Sequence, residues 1–459
     1  MLLQVILLLL ISMGFEKQNT AIQPFPSPKG DTRTKQPVFN LRWPFVLALV
    51  SPFGDGRGGA CANNDGFLPV RQFCIDSIKW LGICLSIAII LLPSCQTQTK
   101  QQPQKPCTKT SSLTVKYAKG FSVDYYDGFK VITIKDLKDS AKILSQFVLL
   151  PANKPVPIGF ESAGLISTPV HKTVCVSTST TGEMSVLNLL DSIAGVTDVE
   201  LIYNQQLLEK IKANQIADVG KQEVNYEKLV ELHPSFVFTS GGFDGGDKLQ
   251  LKLSSLHIQS VPDLEYKEQD PLGRAEWIKF IAAFYGREAL ADSLFSKIET
   301  RYLSLKALAA KATTQPTVFC NLPFKEIWYM PCGENYIAQL IADAGGNFLW
   351  KSSRATNGLN LNLDYEAVYN KAAKADVWIN TGFAASLHDI QSADQKNTLF
   401  KAFKTGSVYN NNKRNTVAGG FDFWESGPVK PDEVLADLIA IFHPELMKGH
   451  QLYYYQKLK

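Results

Sequence analysis

Two copies of one pattern limit what this chain can fold into. The first opens with TVCVS at Thr173, passes through EMSVLNLLDSIAG (183–195) and reaches NYEKLVELHPSFVFTSG (225–241). The second opens with TVFCN at Thr317, passes through ENYIAQLIADAGG (334–346) and reaches DYEAVYNKAAKADVWINTG (364–382). Each copy reads as an apolar strand, a helical period closing on a glycine, and a Tyr-Glu pair that opens a second helix running into another apolar strand. In each, the first Glu lies 12 residues before a glycine that can end the first helix. Strand–helix alternation of this kind predicts parallel α/β layering. Two copies predict two similar lobes, and two lobes sharing one connection predict a cleft.

The connection is itself legible. Residues 273–312 (GRAEWIKFIAAFYGREALADSLFSKIETRYLSLKALAAKA) place apolar residues at helical spacing, interrupted by Gly286, which reads as a kink or a break. Ahead of the first copy, VKYAKGFSVDYYDGFKVITIKD alternates apolar and polar residues around Asp127-Gly128, a hairpin signal. FVLLP and the run ending TPVHKTVCVS read as further strands. Residues 96–112 are polar and rich in Gln, Thr and Lys, as in a flexible tether.

The first 94 residues carry 8 Lys/Arg and 5 Asp/Glu against 39 and 38 in the remainder, so charge gives no support to nucleic-acid binding. Arg71 and Lys79 precede a charge-free run from Trp80 to Pro93 that suits a signal peptide better than a membrane span. It ends in Leu92-Pro93-Ser94-Cys95, which resembles a lipoprotein processing box and makes Cys95 the expected lipidation site, anchoring the chain to the membrane. The signal sits about 70 residues in, so the expected translation start is near Leu68 or Val70. Cys107, Cys175, Cys320 and Cys332 show no zinc-site spacing and no dense disulfide framework, and a single disulfide among them stays open. The resulting division is 1–94 (upstream extension and signal), 95–115 (tether), 116–272 (N-terminal α/β lobe), 273–312 (inter-lobe helix) and 313–459 (C-terminal α/β lobe).

With these features the chain resembles the cobalamin, ferric-siderophore and heme class of ABC-importer substrate-binding proteins. The pieces YAKGF, PLGRAEWIKFIAAFYG, DAGGNFLW and DFWESGPVKPDEVLADLIAIFHPEL are similar to its Bacteroidetes-type branch. The resemblance implies a class III periplasmic binding protein: two Rossmann-like lobes joined by a single long helix. It implies a non-enzymatic, monomeric, periplasmic lipoprotein without a resident cofactor, partnered by an ABC permease and its ATPase. It also implies one acidic docking residue per lobe, and Glu227 and Glu366 match that pattern, although a Glu in a first helical turn is also favoured by the helix dipole.

Ligand contacts are expected from loops at strand C-terminal ends. Lobe one offers Thr178 and Thr181, Tyr203, and Phe243 within SGGFDGG (240–246), whose glycines read as a turn because no P-loop Lys follows. Lobe two offers Trp328, Tyr329 and Tyr336 in the run 325–336, TGFAAS (381–386), and Phe423 and Trp424 in GGFDFWESG (419–427). Aromatics of this kind suit a metal chelate or macrocycle. Lys325, Arg354 and Lys430 are candidates for its anionic groups. Three alternatives stay open: a zinc- or manganese-binding relative, although the six histidines are scattered; a metal-cluster enzyme subunit, although the cysteines are few; and a purely structural lipoprotein, which a filled inter-lobe interface would favour.

Overall fold

A computed structural model describes residues 107–459, apart from 222, 242–245 and 357. Cys95, the signal segment and Phe243 lie outside the described residues. The described residues belong to one compact unit.

Both copies of the repeat build the same three-strand motif. In lobe one, strand Thr173–Cys175 lies between Ile193–Val196, reached through helix Thr178–Val186, and Phe236–Thr239, reached through helix Tyr226–Leu232. In lobe two, Thr317–Cys320 lies between Asn347–Phe348, reached through helix Tyr336–Asp343, and Val377–Ile379, reached through helix Tyr365–Ala372. All these pairings are parallel. Ala217–Asp218 and Ser260–Pro262 complete a parallel five-stranded sheet in lobe one. Val408–Asn410 and an antiparallel Gln456–Lys457 complete five strands in lobe two. The central strands are buried throughout, as parallel strands covered on both faces must be.

Two details depart from the expected pattern. Gly195 does not end a helix. The first helix of lobe one stops at Leu187, and Gly195 sits inside strand Ile193–Val196, where an added Cβ would lie 2.8 Å from the Val219 side chain. The inter-lobe connection is three consecutive helices. Asp270 caps Pro271–Glu276 through the Leu272 and Gly273 amides, Ile278–Tyr285 ends at Gly286 with φ +66°, and only Glu288–Ala309 is long, at 22 residues. That helix packs on Pro431–Phe442 of lobe two, where Arg301 bonds Asp432 (2.7 Å) and Glu433 (2.5 Å).

Residues 109–168 form a separate five-stranded sheet rather than part of the lobe-one sheet. Its hairpin turns at Gly128 (φ +81°), with Phe121–Tyr126 antiparallel to Phe129–Lys135. Two carboxylates tie its leading edge to the connecting helices. Glu276 accepts from the amides of Lys116, Tyr117 and Ala118. Glu268 accepts from those of Lys119 and Gly120 and from the Trp277 indole. Phe121 packs edge-on against Trp277 at 5.0 Å, so one apolar cluster runs from this sheet through the connection into lobe two.

Candidate functional site

The parallel strands of lobe two fix where its loops gather. Strands Thr317–Cys320, Val377–Ile379 and Val408–Asn410 are neighbours, so the segments after Cys320, Ile379 and Asn410 lie side by side at one sheet edge. Each presents an exposed apolar side chain: Phe324 (63%), Phe383 (81%) and Val417, which is fully exposed. Phe383 sits edge-on to Phe421 at 5.7 Å, and the Lys325 ammonium lies 5.3 Å from the Phe324 ring. Tyr329 on strand Trp328–Pro331 and Trp424 on helix Asp422–Glu425 are also partly exposed.

Other aromatics expected here serve the core. Trp328 is fully buried, stacks on Trp378 at 6.0 Å and donates its indole N–H to the Cys320 carbonyl (2.8 Å). Phe423 is buried edge-on against Tyr454 and Tyr455. Tyr336 is half-buried beneath the Arg274 guanidinium, 4.1 Å from its ring centre. In lobe one, Thr181 is buried and donates its hydroxyl to the Thr178 carbonyl (2.8 Å). Thr178 is half-buried at the start of its helix, and Tyr203 is half-buried beside Arg414, 4.9 Å from its ring centre. Trp328 and Phe423 thus face the core, whereas Thr178, Tyr203 and Tyr336 keep part of their surface exposed. Arg354 is exposed and pairs with Glu334 (3.2 Å), while Lys430 lies over the Tyr453 ring at 5.7 Å.

The lobes touch directly. Residues 414–429 of lobe two pack on helix Thr178–Val186 and on residues 199–204 of lobe one. Gly182 and Gly420 make the approach possible, since a Cβ on either would lie 2.0 Å from the Glu425 carbonyl oxygen or 2.1 Å from that of Leu201. The Glu425 carboxyl accepts the Tyr203 amide (2.6 Å) and the Asn204 amide (3.0 Å), and Thr416 donates to the Glu200 carbonyl (2.8 Å). A small crevice between the first connecting helix and lobe two, lined by Arg274, Tyr336, Leu340, Phe423, Pro428 and Val434, has room for about one water. This direct packing of the lobes is the feature expected above of a purely structural lipoprotein, whereas the exposed aromatic residues of lobe two are the feature expected of a ligand-binding one.

Burial tunes the acids beside this contact. The Glu425 carboxyl is pushed up to about 7 by burial, with Asp422 adding to the rise and the two amides opposing it. Asp263, which accepts from Thr180 (2.8 Å), is pushed up to about 6 by burial and then by the Glu265 charge. Glu183 lies well above the carboxylate range through burial and the adjacent Asp263, and neither of its oxygens accepts a hydrogen bond. Glu265 is satisfied by Arg274 (Nε 2.7 Å). Sequence reasoning used Glu183 only as a marker of the repeat and left Glu425 unremarked. Nothing in a sequence signals a carboxyl that caps the backbone of another lobe.

Glu227 and Glu366 occupy equivalent places. Each is exposed in the first turn of its helix, after a capping Asn225 or Asp364, and neither has an ion-pair partner among the described residues. No three His, Cys, Asp or Glu side chains gather into a group that could hold a metal ion among the described residues, and Cys107, Cys175, Cys320 and Cys332 are free thiols. No helix among them is long and apolar enough to cross a membrane.

Residues 173–414 match the model of the family described as "Periplasmic binding protein". An uncharacterized lipoprotein of Methanocaldococcus jannaschii is 29% identical over 412 residues, spanning 85% of this chain and 96% of the relative. A second uncharacterized lipoprotein of that organism is 27% identical over 413 residues, spanning 85% of this chain and all of the relative. Among solved structures, a possible iron-binding periplasmic solute-binding protein of Staphylococcus epidermidis aligns at TM-score 0.47 and 16% identity, over 60% of this chain and 99% of that one. A periplasmic heme-binding protein of Vibrio cholerae aligns at 0.45 and 15%, over 57% and 98%.

Proposed function

This chain belongs to the periplasmic binding protein family, and on that premise we propose that it is the substrate-binding lipoprotein of an ABC importer, capturing an iron–siderophore, corrinoid or heme outside the membrane and delivering it to the permease. The reading is supported by one observation above others: three adjacent loops of lobe two present Phe324, Phe383 and Val417 to solvent at the strand ends, with Lys325 beside them. Aromatic and apolar surface exposed at this level suits a broad, largely apolar ligand with anionic substituents. The relatives named as lipoproteins agree with anchoring at Cys95. Titration of residues 96–459 with hemin, cobalamin and ferric siderophores, read by absorbance and thermal shift, tests it. One of these ligands is expected to bind, and Phe383→Ala with Phe324→Ala is expected to weaken it by roughly 10-fold or more, the loss of burying part of two Phe rings. Binding of zinc or manganese in place of every chelate would overturn it.

Glu227 and Glu366 are the proposed docking residues. Two carboxylates on the two lobes, each exposed and unpaired among the described residues, suit a permease with one basic patch per half. Changing both to Ala is expected to cut transport by roughly 10-fold or more at unchanged ligand affinity, because rim charges act on encounter and register. Wild-type transport by the double variant would remove the role.

A further inference from the structure

The contact between the lobes contains an acid that ligand capture does not use. Glu425 is 2% exposed, belongs to lobe two, and caps two backbone amides of lobe one. We propose that separation of the lobes is proton-coupled through Glu425: the closed contact takes up a proton on this carboxyl and loosens as it ionises.

The surroundings give the reason. On its own helix the neighbouring charge is Asp422, an anion. Arg414, on the preceding loop, is engaged by Asp422 (2.5 Å) and lies over the rings of Tyr203 and Tyr453. From lobe one, helix Thr178–Val186 brings Glu183, whose carboxyl burial pushes well above the ordinary range, and residues 199–204 bring Tyr203 and Glu200, the latter paired with Lys221 at 2.8 Å. The C-terminal segment brings Tyr453 and Tyr454, with Lys430 placed over Tyr453 and the Tyr454 hydroxyl on Ser426. No ion pair to Glu425 exists among the described residues, so two amide dipoles alone offset its loss of water and the field of Asp422. Lobe separation returns that water. Because Gly182 abuts the Glu425 carbonyl and Gly420 abuts that of Leu201, the carboxyl cannot regain water while the contact stays shut.

The sign follows from linkage. The carboxyl titrates about 7 when closed, against an ordinary 4.5, so closing binds a proton. Closure is fully favoured below the ordinary value and declines as pH rises through 7. Amide exchange read by mass spectrometry on residues 96–459 tests this without ligand, so its outcome is separate from ligand identity. With intrinsic exchange rates divided out, protection of residues 199–205 is expected to fall on the order of 50-fold between pH 5 and pH 8, while strand Thr173–Cys175 stays protected. In Glu425→Gln the profile is expected to be flat. In Asp422→Asn, which removes the adjacent anion and releases Arg414, the fall is expected to shrink. A flat wild-type profile, an equal fall in Glu425→Gln, or an undiminished fall in Asp422→Asn would overturn the proposal.

Discussion

Glu276→Ala is expected to destabilise the protein by about 3–5 kcal/mol, the range for breaking a buried ion pair by removing one partner. Glu276 has no exposed surface, and it accepts from the amides of Lys116 (2.9 Å), Tyr117 (2.7 Å) and Ala118 (3.0 Å) while pairing with Lys279 at 3.0 Å. Alanine leaves three amides without their acceptor and a buried ammonium held by Asp292 and the Thr114 carbonyl. Because whole domains are stable by only about 5–15 kcal/mol, the loss is a large share. It should appear first as detachment of the 109–168 sheet, seen as new proteolysis within 113–120, and then as a lower urea midpoint at nearly unchanged slope. Glu276→Gln retains one acceptor oxygen and should lose less. A change under about 1 kcal/mol in the Ala variant would mean that the clamp contributes little.

Gly182→Ala and Gly420→Ala are expected to push the lobes apart. At both positions the atom in the way is a backbone oxygen, 2.0 and 2.1 Å from the added Cβ, so no side chain can rotate aside. Gly182 lies within a helix, where alanine by itself would add up to about 1 kcal/mol of stability. A fall in thermal midpoint at this position therefore isolates the inter-lobe clash. The expected cost is about 1–3 kcal/mol for each variant, accompanied by lost amide protection at 199–205 and 414–426. Unchanged protection there would show that the lobes are not held in contact in solution.

The repeat, the hairpin at Asp127-Gly128 and the helical connection were legible because each rests on local pattern: strand alternation, a turn glycine, helical period. The outward placement of Glu227 and Glu366 was legible for a similar reason, since a first-turn Glu behind an Asn or Asp cap faces water. The ligand aromatics were less so. Trp328 and Phe423 share the composition of their segments with Tyr329 and Trp424, and only the strand pleat at 328–329, the helical turn at 423–424 and the side chains beneath decided that the first of each pair points inward. Phe383 was visible only as part of TGFAAS. Its exposure follows from standing just beyond a buried strand with Gly382 in a left-handed turn (φ +64°).

By itself the sequence determined two α/β units of one topology, because apolar period and turn chemistry are properties of neighbouring residues. The tertiary structure alone decided how those units meet. Gly182 and Gly420 are ordinary glycines until another backbone arrives within van der Waals reach. Glu268, Glu276 and Glu425 are ordinary acids until burial leaves them amides of distant residues as partners. Contacts separated by more than 140 positions leave no local period to read, and it is at such contacts that the closed interface and its acid are set.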